Sequence, residues 1–473
     1  MNATTISPSN LISPDDIPLE SVSKIEAQTT VDIVNDSSRS AYIETYGCQM
    51  NVADTELVNS ILTDAGFNVC ESPEQADIIL INTCAVREHA EERVIGRASQ
   101  LSGLRNRRPD LTIGILGCMA QHLAKTLPQR APFVDLVVGP DSYQRLPEIL
   151  SQTSNEALLD VRLNRKENYV GLNPTRHTGT NAWVTIIRGC DKFCTFCIVP
   201  YVRGRERSIE ATEVVRQIRQ IAAEGYREVT LLGQTVNSYR DDNGVDFAKL
   251  LRSVGNIEGI DRVRFTSPYP VDFNPSTIEA MAEVPEICPS LHLPVQSASN
   301  RQLKLMKRGY TISEYRDLVS RLREAIPYIS LTTDIIVGFC SETDDEFLET
   351  YDFMKEIRYD SAFMFKYSER SGTAAHREIP DDVPESIKTE RLQAIIKLQE
   401  KISREVNEKA VGNTFEVLVE GPSKRKSQDG KTRYYGRSPQ GRTIVFPQQA
   451  AINSTVNVRI DSVTSHTLYG TRN

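Results

Sequence analysis

The chain has 473 residues, of which 39% are hydrophobic and 25% are charged, and its net charge is −8. This length suggests about three domains, and the composition is typical of a globular protein rather than a disordered or fibrous one. No segment approaches the roughly 20 uncharged apolar residues of a membrane-spanning helix, which excludes an integral membrane protein of the helical type.

Residues 1–38 are rich in Ser, Thr, Asn and Asp, and they contain no apolar core followed by a cleavage site. We interpret them as a disordered acidic leader and not as a signal peptide. Because the nine cysteines follow no export signal, they indicate metal binding or redox chemistry rather than a disulfide framework. We therefore expect a cytoplasmic protein.

Residues 39–155 form the first predicted domain, in which strand and helix patterns alternate. Helices are predicted from 52 to 65, from near 86, and again after 117. The predicted strands are residues 41–47, 77–83, 112–117 and 134–139. Strands that alternate with helices predict a parallel, doubly wound sheet.

Residues 176–408 form the second predicted domain, with the same alternation over a longer stretch. Six strand–helix units predict a partial (β/α)6 barrel with its site at the carboxyl ends of the strands. The predicted strands are residues 182–187, 228–232, 262–266, 290–295, 331–337 and 362–367.

Residues 409–473 form the third predicted domain, where short β-type runs are separated by Gly, Pro and Asn. This pattern predicts a small antiparallel β-barrel. The segment holds ten Lys and Arg against four Asp and Glu, so its net charge is +6 and the preceding residues carry −14. A basic domain on an acidic body favours contact with a polyanion.

Three cysteines, Cys190, Cys194 and Cys197, lie within eight residues just after a predicted strand. Thiolates are soft ligands that suit iron–sulfur clusters or zinc. Structural zinc sites normally have four ligands, whereas three ligands leave one iron of a 4Fe-4S cluster open. We therefore favour the cluster over zinc.

Three further cysteines, Cys48, Cys84 and Cys118, each end or directly follow a predicted strand. In a doubly wound sheet the carboxyl ends of the strands share one edge, where ligands bind. Although the three are far apart in sequence, they could converge there. A second 4Fe-4S cluster with one free iron follows as a hypothesis.

Several motifs together resemble one family. They read ETYGCQMN, NTCAVRE, GCMAQ, RGCDKFCTFCIVPYVRGRERS, LLGQTVNSY, HLPVQSAS, LKLMKRGYT and DIIVGF. The C-x3-C-x2-C spacing is similar to that of the radical S-adenosylmethionine (SAM) superfamily. The whole set resembles the radical SAM methylthiotransferases of the MiaB type, which act on tRNA, from about residue 40 to the end of the chain.

The resemblance implies roles for both cysteine sets and for the partners. Cys190, Cys194 and Cys197 would hold the cluster that cleaves SAM, and Cys48, Cys84 and Cys118 would hold an auxiliary cluster with the sulfur destined for product. The substrate would be N6-isopentenyladenosine at position 37 in the tRNA anticodon loop, methylthiolated at C2 with two SAM molecules. Residues 409–473 would be the family's RNA-binding TRAM domain. The partners would include an electron donor and iron–sulfur or sulfur carrier proteins, with no membrane.

The resemblance implies four candidate SAM contacts, which lie between the clustered cysteines or just after predicted barrel strands, where the superfamily often contacts the cofactor. They are Phe196, Gly233, Gln234 and Gly338. A plain strand-to-loop turn is the alternative for the residues after strands, and a packed aromatic is the alternative for Phe196. Cys340 stands where the family more often has proline, and we interpret it as a tolerated small residue rather than a ligand.

Two basic segments are candidate RNA contacts, because Arg suits phosphate and because basic residues interleaved with aromatics fit RNA backbone binding with base stacking. The first segment follows Cys197, the last of the three clustered cysteines. The second lies in the third domain beside Tyr434 and Tyr435. A solvated surface is the alternative for the first segment. The residues are Arg203, Arg205, Arg207, Lys424, Arg425, Lys426 and Arg433.

Three other functions remain open from the sequence. Related enzymes with the same chemistry modify an aspartate of a ribosomal protein, and a related tRNA branch acts on threonylcarbamoyladenosine. A non-enzymatic, metal-stabilised RNA-binding module is the alternative of another class; it would bind zinc, be colourless and cleave no SAM.

Overall fold

The computed structural model describes residues 39–85, 88–152, 157–176, 179–424, 430 and 432–472. The predicted leader over residues 1–38 lies outside the described residues. Within the described ranges, no helix has the length and apolar character needed to cross a membrane.

The first domain is a six-stranded sheet in the order β2-β1-β3-β4-β5-β6, with every neighbouring pair parallel. The order reverses between β1 and β3, which makes this the switch point where doubly wound sheets bind ligands. The strands are β1 (Ser40–Tyr46), β2 (Asn68–Val69), β3 (Ile78–Thr83), β4 (Thr112–Gly117), β5 (Leu136–Val138) and β6 (Leu158–Asp160).

Helices cover both faces of this sheet, and the residues of β3 show why. Ile78 and Leu80 pack into one apolar core, and Ile79 and Ile81 pack into the other. A strand buried on both faces reads as a continuous apolar run instead of an alternating one. The helices are α1 (Gln49–Asp64), α2 (Glu88–Ser102), α3 (Cys118–Leu123), α4 (Leu127–Arg130) and α5 (Leu146–Ser151).

The edge strands β2 and β6 did not emerge from the sequence pattern. They have two and three residues, which is too short a window to establish a period. β6 pairs with β5 in parallel, so the first sheet continues beyond residue 155.

The second domain is a partial barrel of six strands in sequence order. Two parallel three-stranded sheets, β7-β10-β11 and β12-β13-β14, meet through a parallel bridge between Val263 and Ile287. The strands are β7 (Asn181–Thr185), β10 (Glu228–Leu232), β11 (Arg262–Phe265), β12 (Ser290–His292), β13 (Ser330–Val337) and β14 (Ser361–Lys366). Its helices are α6 (Val199–Arg203), α7 (Ala211–Ala223), α8 (Phe247–Gly255), α9 (Pro275–Glu283), α10 (Asn300–Leu305), α11 (Ile312–Ala325), α12 (Asp344–Ile357), α13 (Ala374–Glu378) and α14 (Glu385–Glu408).

One predicted strand is divided in the structure. Residues 182–187 belong partly to β7 and partly to β8 (Ile187–Arg188), which pairs antiparallel with β9 (Arg207–Ser208). The β8–β9 pair closes the base of the segment between them, residues 189–206, called the cluster loop below.

The third domain is a closed five-stranded barrel in the order β15-β16-β17-β19-β18. It is attached to the starts of the central strands, where Arg262 donates to the carbonyl oxygen of Arg437 and Arg264 donates to those of Ser438 and Pro439. The strands are β15 (Thr414–Pro422), β16 (Tyr434–Arg437), β17 (Thr443–Phe446), β18 (Thr455–Val463) and β19 (Leu468–Arg472). The predicted fold class is thus confirmed in all three regions, with one difference: β17 and β19 of the small barrel pair in parallel, while its other pairs are antiparallel.

Candidate active site

The cluster loop brings Cys190, Cys194 and Cys197 to the carboxyl end of the central barrel. Its two ends are fastened together, because the N–H of Cys190 donates to the carbonyl oxygen of Gly204 at 3.2 Å. Gly189 has a φ of +78°, and a Cβ there would lie 2.1 Å from the carbonyl oxygen of Arg205. Only glycine therefore fits at this closure.

The three thiols of the cluster loop share one largely buried space. Burial raises the pKa of Cys190 to about 11 and that of Cys197 to about 12, and in both the charge of Cys194 acts in the same direction. Nη1 of Arg308 donates to Sγ of Cys194 at 3.4 Å. A bound metal overcomes such a raised thiol pKa by deprotonating the thiol.

The first domain brings its own three cysteines together at the switch point. Cys48 caps α1 after β1, Cys84 follows β3, and Cys118 begins α3 after β4. A Cβ on Gly47 would lie 2.7 Å from Cβ of Cys84. A hydrogen bond with Cys84 lowers the pKa of Cys48 to about 6, and the charge of Cys48 in turn helps to raise the pKa of the buried Cys118.

Neither set has the geometry of a single-ion site. In the part of the chain that the structure describes, no three Cys, His, Asp or Glu side chains form a group that could hold a metal ion. A cubic 4Fe-4S cluster attaches each thiolate to a different iron, so its ligands need not lie within chelating distance of one another. Three thiolates on separate irons are compatible with this arrangement.

A buried ion-pair network joins the two cysteine sets across the domain interface. Asp54 of α1 accepts from Arg188 at 3.1 Å and from Arg203 at 2.7 Å, and all three side chains are buried. Nε of Arg203 also donates to Sγ of Cys118 at 3.0 Å. Because Arg203 ends the helix that follows Cys197, this network fixes one set against the other.

Two of the three arginines predicted to bind RNA phosphate, Arg203 and Arg207, are buried in ion pairs, which argues against that role for them. Arg203 is 3% exposed and occupied by Asp54, and Arg207 is 9% exposed and paired with Asp141 at 2.9 Å. Buried and paired guanidinium groups are not accessible to a phosphate. Arg205 remains exposed, although it pairs with Asp191.

The candidate SAM contacts differ in what their surroundings explain. A Cβ on Gly233 would lie 2.1 Å from Cγ2 of Ile187, and Gly338 has a φ of +66°, so packing and backbone shape account for both glycines. Phe196 packs edge-on against Phe339, with ring centroids 6.4 Å apart. Gln234 has a buried Oε1 without a partner among the described residues, which is the kind of group that a bound cofactor would satisfy.

Cys340 is fully buried in an apolar cluster with Met306, Phe339 and Tyr367. Its surroundings are those of a packed small side chain, in agreement with the interpretation from the sequence. Phe196, which lies between the second and third cysteines of the cluster loop, packs against this apolar cluster.

The basic residues of the third domain are only partly described. Lys424 is exposed, and the guanidinium of Arg433 lies 5.9 Å from the ring centroid of Tyr469. Arg425 and Lys426 lie outside the described residues.

Sequence reasoning missed Asp54 and Arg308 as site residues. Arg308 is buried at 6% exposure and stacks over Tyr269 at 4.7 Å while it reaches Cys194. It belongs to the LKLMKRGYT motif, but no local pattern marks its partner. Only the fold shows that Arg308 lies beside Cys194. Likewise, only the fold shows that Asp54 pairs with Arg203, which in turn donates to Cys118.

Comparisons with known proteins agree with this architecture. Residues 40–139 match the model of Uncharacterized protein family UPF0004, residues 184–354 match the Radical SAM superfamily, and residues 408–471 match the TRAM domain. Among solved structures, the radical S-adenosylmethionine methyltransferase TsrM from Kitasatospora setae, which has cobalamin and a 4Fe-4S cluster bound, covers 72% of this chain and 77% of its own. Its TM-score is 0.54 at 14% identity, which shows a shared fold.

Curated relatives are similar over nearly the whole chain. The tRNA-2-methylthio-N6-dimethylallyladenosine synthase of Chloroherpeton thalassium is 46% identical over 91% of this chain and 95% of its own length. The enzyme of the same name from Porphyromonas gingivalis is 45% identical over 92% and 95%. The chain therefore belongs to the family of radical SAM tRNA-2-methylthio-N6-dimethylallyladenosine synthases.

Proposed function

We propose that the protein methylthiolates C2 of N6-isopentenyladenosine at position 37 of tRNA, using two SAM molecules and a cluster-bound sulfur. The observation that carries this proposal is the pairing of two cysteine trios across one interface. Arg203 follows the cluster loop cysteines of the second domain and donates to Cys118 of the first. A reaction that needs both sets requires them to face a common space.

The two trios are the proposed cluster ligands, with Cys190, Cys194 and Cys197 as one set and Cys48, Cys84 and Cys118 as the other. Each trio would hold a 4Fe-4S cluster, and the cluster on Cys190, Cys194 and Cys197 would supply the cleavage of SAM that yields the carbon radical needed at C2 of adenine. Burial of Cys190 and Cys194 keeps water away from the site. Arg308 places a positive charge beside Cys194 and donates to its sulfur.

Cofactor and RNA contacts divide among the domains in this proposal. Residues 39–155 carry the auxiliary cluster, residues 176–408 carry the SAM-cleaving cluster, and residues 409–473 bind the tRNA backbone. Gln234 supports the SAM assignment because its buried Oε1 has no partner in the described part of the chain. Lys424 and Arg433, with Arg425 and Lys426 beside them in sequence, are the proposed RNA contacts of the third domain.

The reaction also needs an electron donor and a source of replacement sulfur, so we propose a reductase-type partner and iron–sulfur or sulfur carrier proteins. Cytoplasmic localisation follows from the substrate, because tRNA is modified in that compartment.

The decisive test is anaerobic turnover of the reconstituted chain with SAM, dithionite and tRNA that carries N6-isopentenyladenosine. Mass spectrometry of the nucleosides should show the 2-methylthio derivative, and 5′-deoxyadenosine should accumulate. The triple variant Cys48→Ala, Cys84→Ala and Cys118→Ala should lose about four irons per chain and still cleave SAM, but it should form no methylthio product.

The triple variant of Cys190, Cys194 and Cys197 to Ala is the matched control, and it should abolish SAM cleavage as well. An unmodified tRNA together with a methylthiolated ribosomal-protein aspartate would transfer the assignment to that related class. Colourless, zinc-loaded protein that binds RNA without cleaving SAM would favour the non-enzymatic module.

A further inference from the structure

Two aromatic rings of the cluster loop are exposed, and the mechanism above uses neither. Phe193 lies within the loop, between Cys190 and Cys194, and is 39% exposed. Tyr201 lies on α6, just after the loop's last cysteine, and is 37% exposed. Their ring centroids are 6.3 Å apart with the planes at 82°. Single exposed apolar residues are ordinary, whereas these two rings adjoin each other beside the cysteines.

The backbone of Phe193 adds a second observation. Its φ is +47°, in the left-handed region that a bulky residue rarely adopts. The ring is not part of a hydrophobic core of the described chain: it is 39% exposed, and its aromatic and cation–π neighbours are the surface residues Tyr201 and Arg205. By contrast, Phe196 in the same loop packs against Phe339. Such outliers occur where the surrounding structure holds a side chain for a function.

Two exposed arginines flank the rings. The guanidinium of Arg205, which also pairs with Asp191, lies 5.7 Å from the ring centroid of Phe193, and that of Arg377 lies 5.5 Å from the ring centroid of Tyr201. Nη2 of Arg377 also donates to Oη of Tyr201 at 3.3 Å. Phe193, Tyr201 and Arg205 belong to the cluster loop, and Arg377 belongs to α13. All four therefore lie at the same end of the barrel as the thiols.

We propose that Phe193, Tyr201, Arg205 and Arg377, called the aromatic platform below, bind the tRNA anticodon loop by stacking on an unpaired base next to the target adenosine. The inference rests on the proposed function. Proteins recognise single-stranded RNA loops by stacking bases on aromatic rings and guanidinium planes. The rings offer the base surface and the two cations complement the adjacent phosphates, a combination that fits RNA better than an uncharged partner.

The test measures the Kd of an anticodon stem–loop that carries N6-isopentenyladenosine at position 37, with 2-aminopurine at a neighbouring loop position. The full chain is used after anaerobic reconstitution. Phe193→Leu with Tyr201→Leu should weaken binding by about 5- to 150-fold, because stacking of one base contributes about 1–3 kcal/mol. It should also relieve quenching of the 2-aminopurine and raise KM more than it lowers kcat.

Salt dependence separates stacking from charge. The leucine variants should keep the wild-type slope of log Kd against log salt, because rings neutralise no phosphate. Arg205→Ala with Arg377→Ala should lower that slope by about 0.7 for each single-strand phosphate that the variant no longer neutralises. A change of slope in the leucine variants would contradict the stacking role.

Two control variants distinguish loss of the stacking rings from a general loss of structure. Tyr328→Leu removes another exposed ring, 82% exposed and located between α11 and β13, and should leave Kd unchanged. Phe193→Tyr with Tyr201→Phe retains both rings and should retain affinity. If the double leucine variant loses iron, Tyr201→Leu alone, which lies outside the cysteine spacing, decides the matter. Wild-type affinity in that variant overturns the platform, and absence of any wild-type binding to the stem–loop overturns the proposed function with it.

Discussion

At the scale of single residues, Asp54 neutralises two buried arginines at the interface between the first two domains. Its carboxylate is fully buried and lies against two guanidinium groups that are also buried. Removing one partner from such a network leaves uncompensated buried charge. Thus one acidic side chain in α1 permits Arg188 and Arg203 to lie between the domains.

We expect Asp54→Asn to lower the free energy of unfolding by about 3 to 5 kcal/mol, because it leaves two buried cations without their counter-ion. Urea unfolding of the anaerobically purified protein measures this loss. Glu356→Gln is the control: it breaks a surface pair with Arg316 whose side chains are 47% and 41% exposed, and it should cost less than about 1 kcal/mol. Equal losses in the two variants would show that the buried network has no special role.

Glu56, on the same helix, gives the interface a pH dependence. It borders a cavity of about 30 Å³ with Arg176, and burial raises its pKa to about 7. The folded state therefore binds a proton that the unfolded state releases near pH 4.5, so this residue destabilises the fold as pH rises from about 5 to 8. Over the whole titration this residue lowers the free energy of unfolding by about 3 kcal/mol.

The measurement compares urea unfolding of wild type and Glu56→Gln at both ends of that pH range. The stability of wild type relative to the variant should fall as pH rises, because glutamine does not titrate. A constant difference between the two proteins would show that the carboxyl keeps an ordinary pKa.

At the scale of elements, the short β8–β9 pair matters more than its length suggests. The β8–β9 pair joins the two ends of the cluster loop. It therefore holds the loop's three cysteines at the edge of the barrel. The closure depends on Gly189, where backbone from the other end of the loop occupies the space of a side chain. The loop is therefore shaped by its base and not only by the metal.

Gly189→Ala should prevent closure and remove about four irons per chain, together with SAM cleavage. Gly244→Ala is a matched control: Gly244 has a φ of +79°, close to the +78° of Gly189, but no atom lies within 4 Å of its added Cβ. Iron analysis and 5′-deoxyadenosine formation distinguish the two. Full iron in Gly189→Ala would mean that the cluster alone shapes the loop.

At the scale of the whole molecule, the third domain is attached at the opposite end of the central strands from the cysteines. Arg262 at the start of β11 bonds to Arg437 and Glu416 of the small barrel, whereas the cluster loop lies beyond the strands' carboxyl ends. An RNA bound by both regions must therefore extend along the side of the central barrel. The aromatic platform and the basic third domain would then contact different parts of one tRNA.

Deleting residues 409–473 should weaken tRNA binding and reduce its salt dependence, because a segment with a net charge of +6 is removed. SAM cleavage without RNA should continue, since both cysteine trios remain. Titration of tRNA at several salt concentrations measures the effect. Unchanged affinity and slope would remove the RNA-binding role from this domain.

The sequence by itself determined the features that rest on local pattern. Strand–helix alternation predicted the first two domains and short β-type runs the third. The short spacing of Cys190, Cys194 and Cys197 placed three thiols on one loop, because neighbours in sequence remain neighbours in space. The three dispersed cysteines were more demanding, but each ends or follows a strand of the same parallel sheet, so topology alone pointed to one edge.

Only the tertiary structure decided which charges face solvent and which do not. Arg203, Arg205 and Arg207 have equal status in the sequence, yet Arg203 is buried against Asp54, which lies 149 residues away, while Arg205 stays exposed. The partner that buries a charge comes from a distant segment, and no local pattern encodes that meeting. For the same reason, the sequence did not predict that Arg308 lies beside Cys194. Nor did it predict that the exposed rings of Phe193 and Tyr201 adjoin each other at the rim of the site.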